Sequence, residues 1–221
     1  HPVGLLGIEL QTRRRNRLNG ILASDRGDQY EVRVRQAYGN CPQFIRLRDH
    51  RFDRSPSRPS PDDAIHLAEL DAEAIALIRS ADTFFVASYA DVAGERQVDV
   101  SHRGGMPGFV EISADGLLTI PDYRGNRHFN TLGNILTNPR AGLLFIDFFG
   151  ELQRRSFVCS IKTPPTASAA SLPECSEGSA WTSTYKRLAV PQLDERKVFL
   201  LGYSMGSIVG LHAAATLPGV A

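Results

Sequence analysis

The sequence predicts a mainly β protein with a few helices, in which an antiparallel barrel is followed by a linker and a short strand–turn–helix unit. Three observations carry this. Over residues 83–149, five short apolar runs (TFFVASYA, RQVDVSHRG, GFVEI, GLLTIPD and AGLLFIDFF) are separated by turns that contain glycine, at the spacing of an antiparallel barrel. Only two windows carry helical spacing, one after Pro61 and one ending before Pro139. Beyond Gly150 the chain turns rich in Ser, Ala, Thr and Pro until a strand-like run returns near Lys197.

Taken in order, residues 3–22 (VGLLGIELQTRRRNRLNGIL) read as two strands around an arginine-rich connection. YEVRVRQA, from Tyr30, alternates apolar and charged side chains as a half-buried strand does. The connector over residues 55–63 holds three prolines and no periodicity. Asp62 and Asp63 then open a helix over residues 64–81, with Ile65, Leu67, Leu70, Ile75, Leu77 and Ile78 on its apolar side and acids near its positive end. NRHFNTLGNILTN, residues 126–138, gives the second helix. Residues 156–190 read as linker or poorly ordered chain. The organisation expected is an N-terminal β segment (1–54), a connector (55–63), a barrel domain (64–153), a low-complexity linker (154–195) and a final fragment (196–221).

Composition narrows the function classes. With 42% hydrophobic residues in 221, the chain has the means to bury a core. The net charge of +1 hides a segregation, since residues 1–60 hold twelve arginines against six acids and residues 61–150 hold six against thirteen. No apolar run approaches a membrane span and the N-terminus lacks a signal-peptide pattern, so a soluble, cytoplasmic protein is expected. Cys41, Cys159 and Cys175 are widely spaced with no C-x-x-C pair, which favours neither a disulfide framework nor a zinc site. Cys41 reads as a small buried hydrophobe rather than a nucleophile. RRRNR at residues 13–17 has no aromatic platform, zinc module or long basic stripe beside it, so nucleic acid is not expected as a partner. A solvated or dimer-facing loop is the expected setting for it. A chain running from His1 to Ala221, just after a helix, reads as a piece of something longer.

The chemistry concentrates in VDVSHRGGMPGFV (98–110) and TIPDYRGNRHFNTLGNILTNPRAGLLFIDF (119–148). Ser101, Arg103, Gly104 and Gly105 place a hydroxyl, a guanidinium and open backbone N–H groups at one strand end. Gly125, Asn126 and Arg127 do the same at a helix entrance, whose positive end would face the same anion. Such a set suits a phosphate dianion; the bland alternative is surface arginines beside turn glycines.

These two stretches, with GLLGIELQTRRRNRLNG and QAYGNCPQFIRLR nearer the N-terminus, resemble the flavin-nucleotide-binding family related to pyridoxamine 5′-phosphate oxidase, over residues 3–152. The resemblance implies a six-stranded split β-barrel that holds FMN at a homodimer interface, and a flavin-dependent oxidoreductase whose substrate it does not name. It implies cofactor contacts from Ser101, His102, Arg103, Gly104, Tyr123, Gly125, Asn126 and Arg127. In it, Arg103 and Arg127 clamp phosphate, while Ser101, Tyr123 and Asn126 meet phosphate or ring. His102 and His128 flank the arginines, and an exposed polar position is the reading preferred for both over a flavin contact. The isoalloxazine carries the redox chemistry, so no protein acid or base is required. The C-terminal tryptophan-arginine substrate motif of true pyridoxamine phosphate oxidases is replaced here by the Ser/Thr/Pro stretch, which makes vitamin B6 a doubtful substrate.

The alternative activity lies at residues 202–206, GYSMG, a nucleophile elbow between an apolar run and a small-residue helix. Residues 196–218 resemble that single unit of a lysophospholipase-like α/β-hydrolase, with Ser204 as nucleophile. No Asp or Glu follows Ser204, and His212 lies two turns along the departing helix, so the triad has no partners in the required order. The segment reads as a hydrolase scrap joined to the flavin-binding part by gene fusion or an error in the gene model. Ester hydrolysis is expected at background level, and Ser204→Ala is expected to leave p-nitrophenyl acetate turnover unchanged. A clear drop in that turnover would restore the hydrolase reading.

Overall fold

The computed structural model describes residues 1–25, 30–39, 44–49, 67, 69–114, 116–123, 128–148, 156–162 and 181–185, the last two stretches by backbone alone. In chain order these are β1 (Pro2–Glu9), β2 (Arg14–Asp25), β3 (Tyr30–Tyr38), α1 (Ala72–Ser80), β4 (Thr83–Val92) and β5 (Glu95–Gly104). There follow β6 (Glu111–Ile112), β7 (Leu118–Asp122), α2 (Asn130–Thr137), β8 (Arg140–Ile146), β9 (Ser156–Lys162) and β10 (Trp181–Tyr185). The protein is mainly β, and every strand pairing is antiparallel. The strands form three sheets, ordered β1-β2-β3, β5-β4-β8-β9 and β10-β7-β6. Among the described residues these do not close into the barrel expected from the strand spacing.

The β5-β4-β8-β9 sheet is central and buries both faces. Alternation along β4 and β8 sends Phe84, Val86, Leu143 and Phe145 to one face, where Leu77 and Ile78 of α1 and Ile120 of β7 complete the main core. The other face presents Phe85, Val100 and Leu144, and Leu6 and Ile8 of β1 pack on it. The N-terminal segment, a separate unit by composition, thus packs through β1 on the face of the central sheet that carries Phe85, Val100 and Leu144. β4 and β5 are joined by Ala93 (φ 52°) and Gly94 (φ 79°), the left-handed pair that a two-residue hairpin turn requires.

Several local expectations are corrected. Arg14, Arg15 and Arg17 lie inside β2, not in a connection, because the chain turns earlier, at residues 10–13. β3 is more exposed than half-buried: it is the outer edge of its sheet, and Val34 is 50% exposed. The first helix starts at Ala72, where the Asp71 side chain accepts from the Ala74 N–H at 2.8 Å. Asp62 and Asp63 lie outside the described residues, and Leu67 and Leu70 join the core from ahead of that cap. β9 and β10 fall within the stretch expected to be linker. SFVCSIK alternates and WTSTY is rich in β-branched and aromatic residues, a pattern masked by the surrounding composition. Each is paired, β9 with β8 and β10 with β7. Ser204 and the hydrolase-like unit lie outside the described residues. Among the described residues no helix is long and apolar enough to cross a membrane.

Candidate functional site

Strand geometry divides the S-H-R-G motif. Successive side chains of β5 point to opposite faces. Cross-strand pairing sets Ser101 opposite Val86 and Arg103 opposite Phe84 on the main-core face, while His102 sits opposite Phe85 on the face covered by β1. Four contiguous residues therefore serve two environments.

On the first face, Arg103 Nη1 donates to Asp122 Oδ1 at 3.0 Å, and the pair sits partly exposed. Both line a pocket of about 20 Å³ with Pro121, Thr131 and Leu132, room for about one water. Thr131 and Leu132 belong to the first turn of α2. That turn follows Phe129 in the left-handed conformation (φ 54°) and has no side-chain cap and no acidic residue, so its N–H groups keep the partial positive charge of a helix start. Burial raises the Asp122 carboxyl above the ordinary carboxylate value, against the opposing pull of Arg103. Ser101 is buried, its hydroxyl 3.5 Å from the His102 carbonyl. Tyr123 packs its ring on that of Phe44, with centroids 4.8 Å apart. Gly125, Asn126 and Arg127 lie outside the described residues.

On the second face, the expectation of an exposed His102 is overturned. His102 is only 7% exposed and meets the Phe85 ring edge-on, with centroids 5.7 Å apart. Burial, reinforced by the charges of Arg15, Arg103 and Arg48, pushes its pKa down to about 3, which leaves the imidazole neutral. Gly104 is explained by packing: a Cβ there would come within 2.2 Å of the Phe44 carbonyl oxygen. The Gly105 N–H, expected to be open to a ligand, donates to the Asp82 carbonyl at 2.9 Å. His128 is exposed, as expected, with its ring 5.4 Å from that of Tyr38.

Three acids escaped the sequence reading. Asp82 is buried and pairs with the guanidinium of Arg48. Asp99, also buried, accepts from Thr131 Oγ1 at 2.7 Å, Asn19 Nδ2 at 3.2 Å and Arg17 Nη1 at 3.4 Å. It ties β2 to α2. Arg17 in turn lies over the Tyr38 ring at 4.5 Å, and the Tyr38 hydroxyl accepts from Asn130 Nδ2. At least one arginine of RRRNR is thus a structural residue rather than part of a solvated loop. The one available signal was an acid inside an apolar strand, V-D-V, since an inward carboxylate demands partners. Asp122 ends β7 beside Arg103 and completes the set. Among the described residues no group of His, Cys, Asp and Glu is arranged to hold a metal ion. Compared with known proteins, the chain matches no family model, no curated protein and no solved structure.

Proposed function

We propose that this chain is an FMN-binding protein of the split-barrel type related to pyridoxamine 5′-phosphate oxidase, a homodimer with flavin-dependent oxidoreductase chemistry. One observation carries the reading: the Arg103 guanidinium and the uncapped first turn of α2 line the same pocket. A guanidinium fork beside a helix N-terminus is a phosphate-binding combination. Tyr123, against Phe44, adds an aromatic surface one residue beyond Asp122, suited to a planar ring. A ligand the size of FMN needs a few hundred Å³, against a pocket of about 20 Å³. The isoalloxazine would lie on the open face, and a second copy of the chain would close it.

Of the residues singled out in the sequence, Arg103 and Tyr123 fit this role directly. Arg127 and Asn126 join them by the resemblance alone, and His102 and Gly104 support the strand from its other face. Bound FMN supplies the hydride chemistry; Arg103 holds the phosphate and fixes the position of the ring relative to the second copy. The test starts with the absorbance spectrum of the purified chain and titration with FMN and riboflavin. Arg103→Ala is expected to weaken FMN about ten- to a hundredfold, the loss of a charge-assisted contact of roughly 1.5–3 kcal/mol, with little effect on riboflavin. Arg127→Ala is expected to do the same. A wild-type chain that binds neither flavin rules the proposal out, and bleaching by NAD(P)H with turnover of an acceptor separates an enzyme from a binding module.

A further inference from the structure

We propose that Asp122 is a built-in competitor for the anion at Arg103, an affinity-limiting residue whose carboxylate holds the guanidinium that a phosphate must take. The inference rests on the phosphate role of Arg103 given above. Three features of the pair support it. The contact is a single one, Nη1 to Oδ1 at 3.0 Å, whereas a guanidinium offers a phosphate two parallel donors. The side chains are 29% and 16% exposed, so the pair stands at the mouth of the pocket, reachable from solvent. Asp122 is the last residue of β7, where a side-chain rotation leaves the hydrogen-bonded ladder of residues 118–121 in place.

The pocket that both side chains line is small, about 20 Å³, and Asp122 occupies the Nη1 donor. An anion that takes this donor displaces the carboxylate. Burial also leaves that carboxylate poorly compensated, since its effect on Asp122 outweighs the attraction of Arg103. A dianion with several oxygens wins this exchange, while a neutral ring gains nothing from it. Asp122 thereby lowers the affinity for a phosphorylated flavin and leaves that for its unphosphorylated form unchanged.

A carboxylate that merely oriented Arg103 would have the opposite signature, because its loss would weaken phosphate binding. The full chain is titrated with FMN and with riboflavin, following flavin fluorescence, as wild type, Asp122→Asn and Asp122→Ser. Asp122→Asn is expected to bind FMN about tenfold tighter and riboflavin within about twofold of wild type. Asp122→Ser is expected to shift in the same direction and decides the matter if the Asn variant does not fold. Equal or weaker FMN binding overturns the inference, as does failure of both variants to fold, which would make Asp122 a structural residue. A wild-type chain that binds FMN beside a weakened variant removes this inference alone; a wild-type chain that binds no flavin removes the proposed function with it.

Discussion

Stability is expected to fall steeply as pH drops below about 6.5, and His102→Leu is expected to remove much of that fall. In the unfolded chain this imidazole titrates at its ordinary value of 6.5, while in the fold it titrates at about 3, because it is buried against Phe85 with Arg15, Arg103 and Arg48 nearby. Between those values the unfolded chain takes up a proton that the folded chain refuses, so acid favours unfolding. The contribution is complete above 6.5 and is lost as pH falls toward the folded value. Each pH unit is worth about 1.4 kcal/mol. The span of roughly 3.5 units therefore amounts to at most about 5 kcal/mol, on the order of half the stability of an ordinary domain. Leucine keeps an apolar side chain of similar size against Phe85 and cannot titrate. Carboxylates elsewhere titrate alike in both proteins, so the informative quantity is the difference between wild type and variant. Urea unfolding at pH 7, 5.5 and 4 is expected to show the wild type losing about 1 kcal/mol relative to the variant over the first interval and about 2 kcal/mol over the second. A difference that stays constant across those three conditions would show that His102 takes up its proton in the fold as readily as in the unfolded chain.

The fate of His102 also shows what the sequence could reveal. The five apolar runs of the central region were legible because alternation and Gly turns are local signals, and β4, β5, β7 and β8 formed where they were expected. The same period of two that identified β5 also dictates that Ser101 and Arg103 leave His102 on the other side. Treating the four motif residues as one cluster overrode it. β9 and β10 were hidden by their neighbours' composition: SFVCSIK alternates, but it stands before a long stretch of Ser, Ala, Thr and Pro. For α1, helical spacing continued upstream through Leu67 and Leu70, and only the hydrogen bond from the Ala74 N–H to Asp71 shows where the first turn begins. Least legible were the partners of the buried acids. Arg17 reaches Asp99 across 82 residues and Arg48 reaches Asp82 across 34, distances over which no spacing rule operates. Arg103 was found because its neighbours in sequence are glycines; Asp122, which faces it, was quoted within TIPDYRGN and passed over as part of a strand.

Replacing Asp82 by Asn is expected to destabilise the fold by about 3–5 kcal/mol, the cost of removing one charge from a buried ion pair. The Asp82 side chain is 8% exposed and that of Arg48 is 11% exposed. Arg48 also hydrogen-bonds Thr83 Oγ1 at 3.3 Å and lies over the Phe148 ring at 4.0 Å, so it cannot swing into water without abandoning the second core. Arg46, 3.8 Å from the same carboxylate and 43% exposed, can turn to solvent and loses little. The amide is nearly isosteric with the carboxylate, so the loss is electrostatic and not a cavity. A second substitution tests that cause. Arg48→Met retains an unbranched chain against Phe148 and removes the buried guanidinium, and a buried pair replaced on both sides by neutral groups is often close to neutral in stability. The Asp82→Asn, Arg48→Met double variant is therefore expected to recover more than half of the loss, giving a coupling of roughly 2 kcal/mol or more in urea unfolding near pH 7.5. If the two single losses simply add, the Arg48–Asp82 pair is not what joins residues 44–48 to the start of β4, and the segment is held instead at the ends of β1 and β8 by the Arg48 N–H to the Leu10 carbonyl and the packing around Phe148.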